Sequence, residues 1–295
     1  MLVAQGESTV VESRLKAAIF LERRFRVYVA WRDRLLFDTK FAPPAQRPSG
    51  VITLLFVLEG TVSVDHGPPQ VGPIALAFAE HEFERVVPGA PTLRSWGAPY
   101  VAVELRLKTT EVPPNFASVS LARGPLSVPP PVWEAATAFV ETIATGRTST
   151  DELRRWLAAL AAAGIVSDEL SESIQDEPEH LRRLWSVLAA GFARHATSLS
   201  LLQIKRELGL SFRQLYRDAS DLADTFDLLG DGFRSTLKLL RLRAAVLWLS
   251  APEATLIEIA KHVGYGSVAA MNRALREVGL PGPAALREQL RYPAR

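Results

Sequence analysis

The apolar residues of this chain change their period once, near Val132, and that change sets what the chain can fold into. Before it, RVYVAWRDRLLF (Arg26 to Phe37), VITLLFVLEG (Val51 to Gly60), TVSVD, IALAF and YVAVELRL are short runs rich in Val, Ile, Leu and aromatic residues. Proline, glycine and an Asp-His-Gly turn separate them, so they read as strands. Several short strands at close spacing predict a barrel or a sandwich. The proline-rich stretches FAPPAQRPSG, EVPPNF and GPLSVPPPVW cannot be central strands, and the last marks a boundary. Beyond it, WEAATAFVETIA, TDELRRWLAALAAAGI and EHLRRLWSVLAAGFARHA place apolar residues three and four apart, the spacing of helices. Thr150, followed by Asp151 and Glu152, reads as a helix start. The remaining hundred or so residues read as helices joined by short turns, so the fold class is α+β, with strands first and helices afterwards.

Composition narrows the chemistry. None of the 295 residues is cysteine, so disulfides, thiolate catalysis and Cys-ligated metals are excluded. The net charge of +2 hides an asymmetry: the chain carries +7 from His180 onward and −5 before it. A basic half of this kind points to nucleic acid or to a membrane surface. No run approaches the ~18 apolar residues of a membrane span, and the first twenty residues lack the order of a secretory signal. The expectation is therefore a cytoplasmic protein with no membrane partner. No Gly-x-Ser-x-Gly elbow, Gly-x-x-x-x-Gly-Lys loop or His-Glu-x-x-His helix occurs. Glu80, Glu82 and Glu84 alternate along the chain as a solvated face would. His66 lies in a turn and His81 in a polar run, without the spacing of a metal site. Trp31, Trp96 and Trp133 are expected in the core. No catalytic residue, cofactor or metal is expected.

Two segments near the C-terminus carry a mechanism. In ATLIEIAKHVGYGSVAAMNRALREVGLPGPAAL, Leu256, Ile259, Ala260 and Val263 form an apolar stripe, which Gly264-Tyr265-Gly266 breaks. Ser267 then sits at an N-cap position, and Met271, Ala274, Leu275 and Val278 form the inward face of a second helix ended by Gly279. Two short helices joined by a tight glycine turn make a helix-turn-helix. That packing is expected to leave Val268, Ala269, Asn272, Arg273 and Arg276 outward, and Asn and Arg are side chains that read base edges or grip phosphates. LSLLQIKRELGLSFRQLYRD repeats the pattern: Leu201, Ile204 and Leu208 on one helix, Gly209-Leu210 as the turn, Ser211 as N-cap, Leu215 and Ala219 inward. Its outward face is expected to show Arg213, Gln214, Tyr216 and Arg217. STLKLLRLRAAVLWLSAP joins the two units as a helix stopped at Pro252.

The succession of LGLS with an Arg-rich helix, the RLRAAVLWL connector, IEIAKHVGYGS and RALREVGLPGPAAL resembles the DNA-binding domain of the AraC/XylS family of bacterial transcription regulators over roughly Leu181 to Tyr292. The resemblance implies two recognition helices, Ser211 to Arg217 and Ser267 to Arg276, in successive major grooves of double-stranded DNA, ~34 Å apart. LLFVLEGTVSVD with its Gly-Pro step and IALAF is similar to the central hairpin of the cupin-like barrel that such regulators carry. The implied organisation is a cupin-like β-barrel at 1–112, a linker and helical dimerisation segment at 113–179, and the DNA-binding domain at 180–295. It also implies a homodimer, a small-molecule effector at the barrel mouth and contact with RNA polymerase. The helices from Trp133 to Ala163 have two uses on their apolar faces, packing on the barrel or meeting a second copy, and the resemblance favours the second. The first unit departs from the family at Lys205, where a small Ala is usual. It departs again in the longer, acidic stretch from Asp218 to Asp231, whose carboxylates would repel phosphate if they faced it. A second reading is a cupin-type enzyme or small-molecule-binding protein whose helix-turn-helix part has degenerated.

Overall fold

The computed structural model describes residues 1–43, 50–79, 91–114, 124–147, 150–194, 201–226, 228 and 233–291. Its first part is one antiparallel sheet of eight strands: β1 (Leu2–Val10), β2 (Ser13–Leu21), β3 (Phe25–Asp33), β4 (Phe37–Asp38), β5 (Val51–Val64), β6 (Gln70–Val71), β7 (Ile74–Ala79) and β8 (Leu93–Lys108). The path runs β1-β2-β3-β8-β5-β6, with β4 joined to β8 and β7 to β5. The sequence signals began at Arg26, yet the chain already forms a full hairpin from Leu2 to Leu21. Ser8 and Ser13 are buried in that hairpin, so its polar residues masked the alternation.

The long strand β5 bends in the middle. Its register against β8 shifts around Glu59, where Gly60 adopts φ +105°. A Cβ on Gly60 would sit 2.6 Å from the Tyr100 ring and 3.0 Å from the Trp96 carbonyl, so only glycine fits the bend. Before the bend β5 pairs with β7, and after it with β6. The sheet curls as a result, and β2, β3, β5, β7 and β8 all face one cavity.

The two faces of this sheet have different covers. Val27, Val29, Leu54, Phe56, Val103 and Leu105 point outward from the curl and are buried under α1 (Pro130–Ala144) and α2 (Thr150–Ala162). Phe139 and Trp156 stack there with centroids 5.9 Å apart, and Phe56 meets Trp156 edge-on at 5.4 Å. The apolar stripes of both helices, Phe139, Val140 and Ile143 with Leu153, Trp156, Leu157 and Leu160, are consumed in this contact. Of the two uses open to these helices, packing on the barrel is the one that buries the named apolar stripes. The strand face opposite is closed by the helices that follow.

Those helices are α3 (Glu179–Arg194), α4 (Leu201–Leu208), α5 (Phe212–Thr225), α6 (Phe233–Leu249), α7 (Leu256–His262), α8 (Val268–Glu277) and α9 (Pro283–Gln289). They divide into two cores, and the β1–β2 hairpin reaches both. Leu2, Ala4, Ile19 and Leu21 at its open end join Leu184, Leu188, Phe192, Leu215 and Leu222. Val10 and Leu15 near its closed end, with Leu35 and Leu36, join Trp248, Ile259, Met271, Leu275 and Leu286. Polar bonds follow the same lines. Trp185 Nε1 donates to the Val3 carbonyl at 2.9 Å, the Ser8 hydroxyl and His262 Nε2 lie 2.8 Å apart, and the Leu36 amide donates to the Ser250 hydroxyl at 2.9 Å.

Candidate nucleic-acid interface and effector cavity

Both helix-turn-helix units form as their turn residues dictate. Gly209 (φ +66°) and Gly264 (φ +87°) take the left-handed conformation that ends α4 and α7. Ser211 and Ser267 cap the following helices, each hydroxyl accepting from the backbone amide three residues on, at 3.1 Å from Gln214 N and 3.1 Å from Ala270 N. A capping box between Thr255 and Glu258 starts α7 as well. Glu258 is held below the usual carboxylate range by the backbone and hydroxyl hydrogen bonds of Thr255.

In the first unit Leu215, Ala219, Leu222 and Ala223 of α5 turn inward, and Ser211, Arg213, Tyr216 and Arg217 are exposed as expected. Gln214 is different. Its Nε2 donates to Asp218 Oδ1 at 2.6 Å and its Oε1 accepts from Arg217, so its amide is engaged within the helix instead of standing free for a base. Two of the five acids in the stretch are turned to structural use among the described residues. Asp218 is buried under Gln214, and Asp221 pairs with His180 Nε2 of α3 at 2.6 Å. Asp224 stays exposed, while Asp227 and Asp231 lie outside the described residues. The extra length continues α5 to Thr225, making it longer than α8 by four residues. Lys205 lies 4.8 Å over the ring of Phe212. Phe212, absent from the expected outward set, is exposed at the first position of α5. Its place directly after the N-cap was the available signal.

In the second unit Met271 and Leu275 are buried, and Ser267, Ala269, Arg273 and Arg276 are exposed. Two residues expected outward are not free. Val268 is half-buried against the core of the unit. Asn272 turns toward the start of α9, where a Cβ on Gly282 would meet its Oδ1 at 2.7 Å. Lys238 of α6 bridges to Glu277 at 2.8 Å, tying the connector to the end of α8. That pairing, with Arg273 nearby, keeps the Glu277 carboxyl below its ordinary range.

A cavity of about 250 Å³ lies between the curled sheet and the helices that close it. Its walls come from alternate residues of β3 and β8, with Phe192 of α3 and Leu240, Arg243 and Leu247 of α6 on the far side. Register places Arg26 opposite Arg106, Tyr28 opposite Glu104 and Arg32 opposite Tyr100. Arg32 is only 7% exposed; its Nη2 donates to the Ser95 hydroxyl at 2.8 Å, and its guanidinium carbon lies 3.8 Å from the Tyr100 ring centroid. Burial pushes the phenols of Tyr28 and Tyr100 up, so both stay neutral hydrogen-bonding groups.

Among the described residues no group of three or more His, Asp or Glu is placed to hold a metal ion. His66 sits in the turn after β5 with φ +57°, and His81 lies outside the described residues, as do Glu80, Glu82 and Glu84. No described helix is long and apolar enough to cross a membrane. Trp31 and Trp133 pack against the outer core of the sheet, and Trp96 against that of the second unit, as core positions would.

No family model and no curated protein matches the chain. Among solved structures it is similar to ToxT from Vibrio cholerae, at 10% identity over 89% of this chain and 98% of that one, with a TM-score of 0.35. It is similar also to the AraC-like transcriptional activator CuxR, at 12% identity over 70% of this chain and 74% of that one, with a TM-score of 0.32. A third likeness is to the cupin domain of Cnp3 from Schizosaccharomyces pombe, at 16% identity over 32% of this chain and 66% of that domain, with a TM-score of 0.21. Identities this low carry no residue roles across.

Proposed function

We propose that this chain is a sequence-specific DNA-binding transcription regulator of the AraC type, controlled by a small molecule held in the cavity of its N-terminal sheet. The observation that carries the reading is the pair of serine-capped helices, α5 and α8, each presenting two arginines to solvent and joined by α6. Arg213 and Arg217 stand four apart on α5 and so lie one turn from each other on the face opposite Leu215. Arg273 and Arg276 stand three apart on α8. Guanidinium groups in such rows grip phosphate oxygens and pair bidentately with guanine edges. Tyr216 and Ala269 add exposed apolar surface for thymine methyl groups.

Division of labour follows from the side chains. The first unit supplies Tyr216, Arg213 and Arg217 for base reading, and the second supplies Arg273, Arg276 and the capped start of α8 for the backbone. The regulator acts without catalysing a reaction, with the sheet as the sensing part and the helices from α3 onward as the DNA-binding part. Fluorescence anisotropy tests this reading, with the full chain titrated onto the duplex upstream of its own gene and onto a scrambled duplex at several salt concentrations. Binding to the upstream duplex that is tighter and survives salt better than binding to the control is the expected result. Equal affinities that collapse together with salt would reduce the surface to a nonspecific basic patch.

A further inference from the structure

The two helix-turn-helix units differ at one pair of positions, and the difference leaves an aromatic ring in solvent. Four residues before its turn glycine the second unit has Ala260, which is buried, and directly after its N-cap it has Val268, half-buried against the same core. At the matching places the first unit has Lys205 and Phe212. Lys205 Nζ stands over the Phe212 ring, 4.8 Å from its centroid, and Phe212 is 44% exposed. Where a small alanine lets Val268 sink toward the core, Lys205 is long enough to hold Phe212 outside it. Nor is Phe212 a scattered surface residue, because Tyr216, 42% exposed, follows it one turn on in the same row of α5.

The place of the ring names what covers it. Phe212 is the first residue of α5, and in a helix-turn-helix the first residues of the second helix meet base edges in the major groove. Its surroundings are cationic: Arg213 and Arg217 form the next row of α5, and Lys205 and Arg206 end α4 nearby. No acid occurs from Ser211 to Arg217, and Asp218 is buried under Gln214. Positive charge around an apolar centre suits the major groove, where phosphates flank the apolar group that thymine projects, its C5-methyl.

We propose that Phe212 reads thymine by its C5-methyl group in the half-site of the first unit, with Lys205 holding the ring in place from α4. The proposal rests on the reading of the chain as a DNA-binding regulator and names the group that its first recognition helix selects. Phe212 has no polar side-chain atom, so it cannot tell bases apart by hydrogen bonds, and only thymine offers it a methyl group. A ring already clamped by an ammonium is ordered before it binds, and so gives up little freedom on contact.

The test begins with the full chain selecting a preferred duplex from a random pool. Each thymine of that duplex is then replaced singly by deoxyuridine, which removes the methyl group and keeps the hydrogen-bonding edge, and affinity is read by fluorescence anisotropy. At one thymine or more of the first half-site the replacement is expected to weaken binding about three- to fivefold, the worth of one buried methyl group. Phe212→Ala, a change at an exposed position, is expected to bind the thymine duplex more weakly by at least that factor and to bind thymine and deoxyuridine alike at that base. Lys205→Gln is expected to narrow the distinction, and Lys205→Arg to retain it. A distinction that survives Phe212→Ala, one undiminished in Lys205→Gln, or a preferred duplex indifferent to every replacement overturns the inference and leaves the regulator standing. A pool that yields no preferred duplex fails the regulator reading itself, and the inference with it.

Discussion

The two helix-turn-helix units share a plan and differ in how much of it is free. In the second, the turn, the cap and the capping box are all local, and the two arginines of α8 are exposed, but Val268 and Asn272 are turned into the core and toward α9. In the first, α5 is longer and starts with the exposed Phe212 beside Lys205; it ties Gln214 and Asp218 together under its own surface. A recognition helix is thus defined less by its outward positions than by which of those side chains remain unspent. The first unit keeps Tyr216 and Arg213 clear of such bonds, with Arg217 donating to Gln214, whereas the second exposes mostly charge.

The largest effects test whether the two units stand or fall together. Leu215→Ala in the first and Leu275→Ala in the second each empty a fully buried site, and each is expected to cost about 2–5 kcal/mol in urea unfolding. Because both cores are sealed by the same sheet, a single transition is expected to move in both variants; two separable transitions would break the comparison into independent halves. Next come the surface arginines. Arg213→Ala with Arg217→Ala is expected to lose about 1–3 kcal/mol of affinity per contact and to flatten the preference for the upstream duplex. Arg273→Ala with Arg276→Ala should weaken all duplexes alike and reduce the salt slope by ~1 per lost phosphate contact. Anisotropy titrations at three salt concentrations decide between the two patterns, and identical behaviour of the pairs would remove the division of labour.

A smaller effect belongs to the caps. Ser211→Ala and Ser267→Ala each remove one hydrogen bond to the helix start and are expected to cost ~1 kcal/mol, read as a lowered Tm. The smallest concerns pH and the second unit alone. Burial against Trp248 and Ser8 holds the His262 pKa below the ordinary 6.5. The unfolded chain therefore takes up the proton first, so the stability from the neutral ring is complete above about 6.5 and is lost as pH falls below it. Tm measured from pH 7.5 to 5.5 should drop more steeply in the parent than in His262→Gln. Equal slopes would show that His262 does not sense the medium.

What could be read from the chain beforehand was what its local chemistry fixes. Gly209 and Gly264 announce left-handed turns, Ser211 and Ser267 announce helix starts, and the change of period near Val132 separates strands from helices, because each signal acts within a few residues. The fate of the α1 and α2 stripes was not legible, since an apolar face looks the same whether it meets a sheet or a second copy. Gln214 and Asp218 stand four apart, so their bond was within reach of the spacing rule; the burial of Val268 against the core of the unit and the turn of Asn272 toward Gly282 depend on tertiary packing and were not. The anchoring of Arg32 in the cavity wall could not be foreseen either. It depends on Ser95 and Tyr100, sixty and more residues away, and on the curl that Gly60 permits.

The β1–β2 hairpin spans roughly 26 Å from Leu2 to Val10, at about 3.3 Å per residue, with one helix-turn-helix core at each end. A hydrogen-bonded ladder of nine residue pairs bends and twists, but it does not lengthen. It therefore works as a gauge block between the two helix-turn-helix cores, holding their spacing as a fixed length. Re-spacing those cores requires at least one of them to release its contacts with the hairpin.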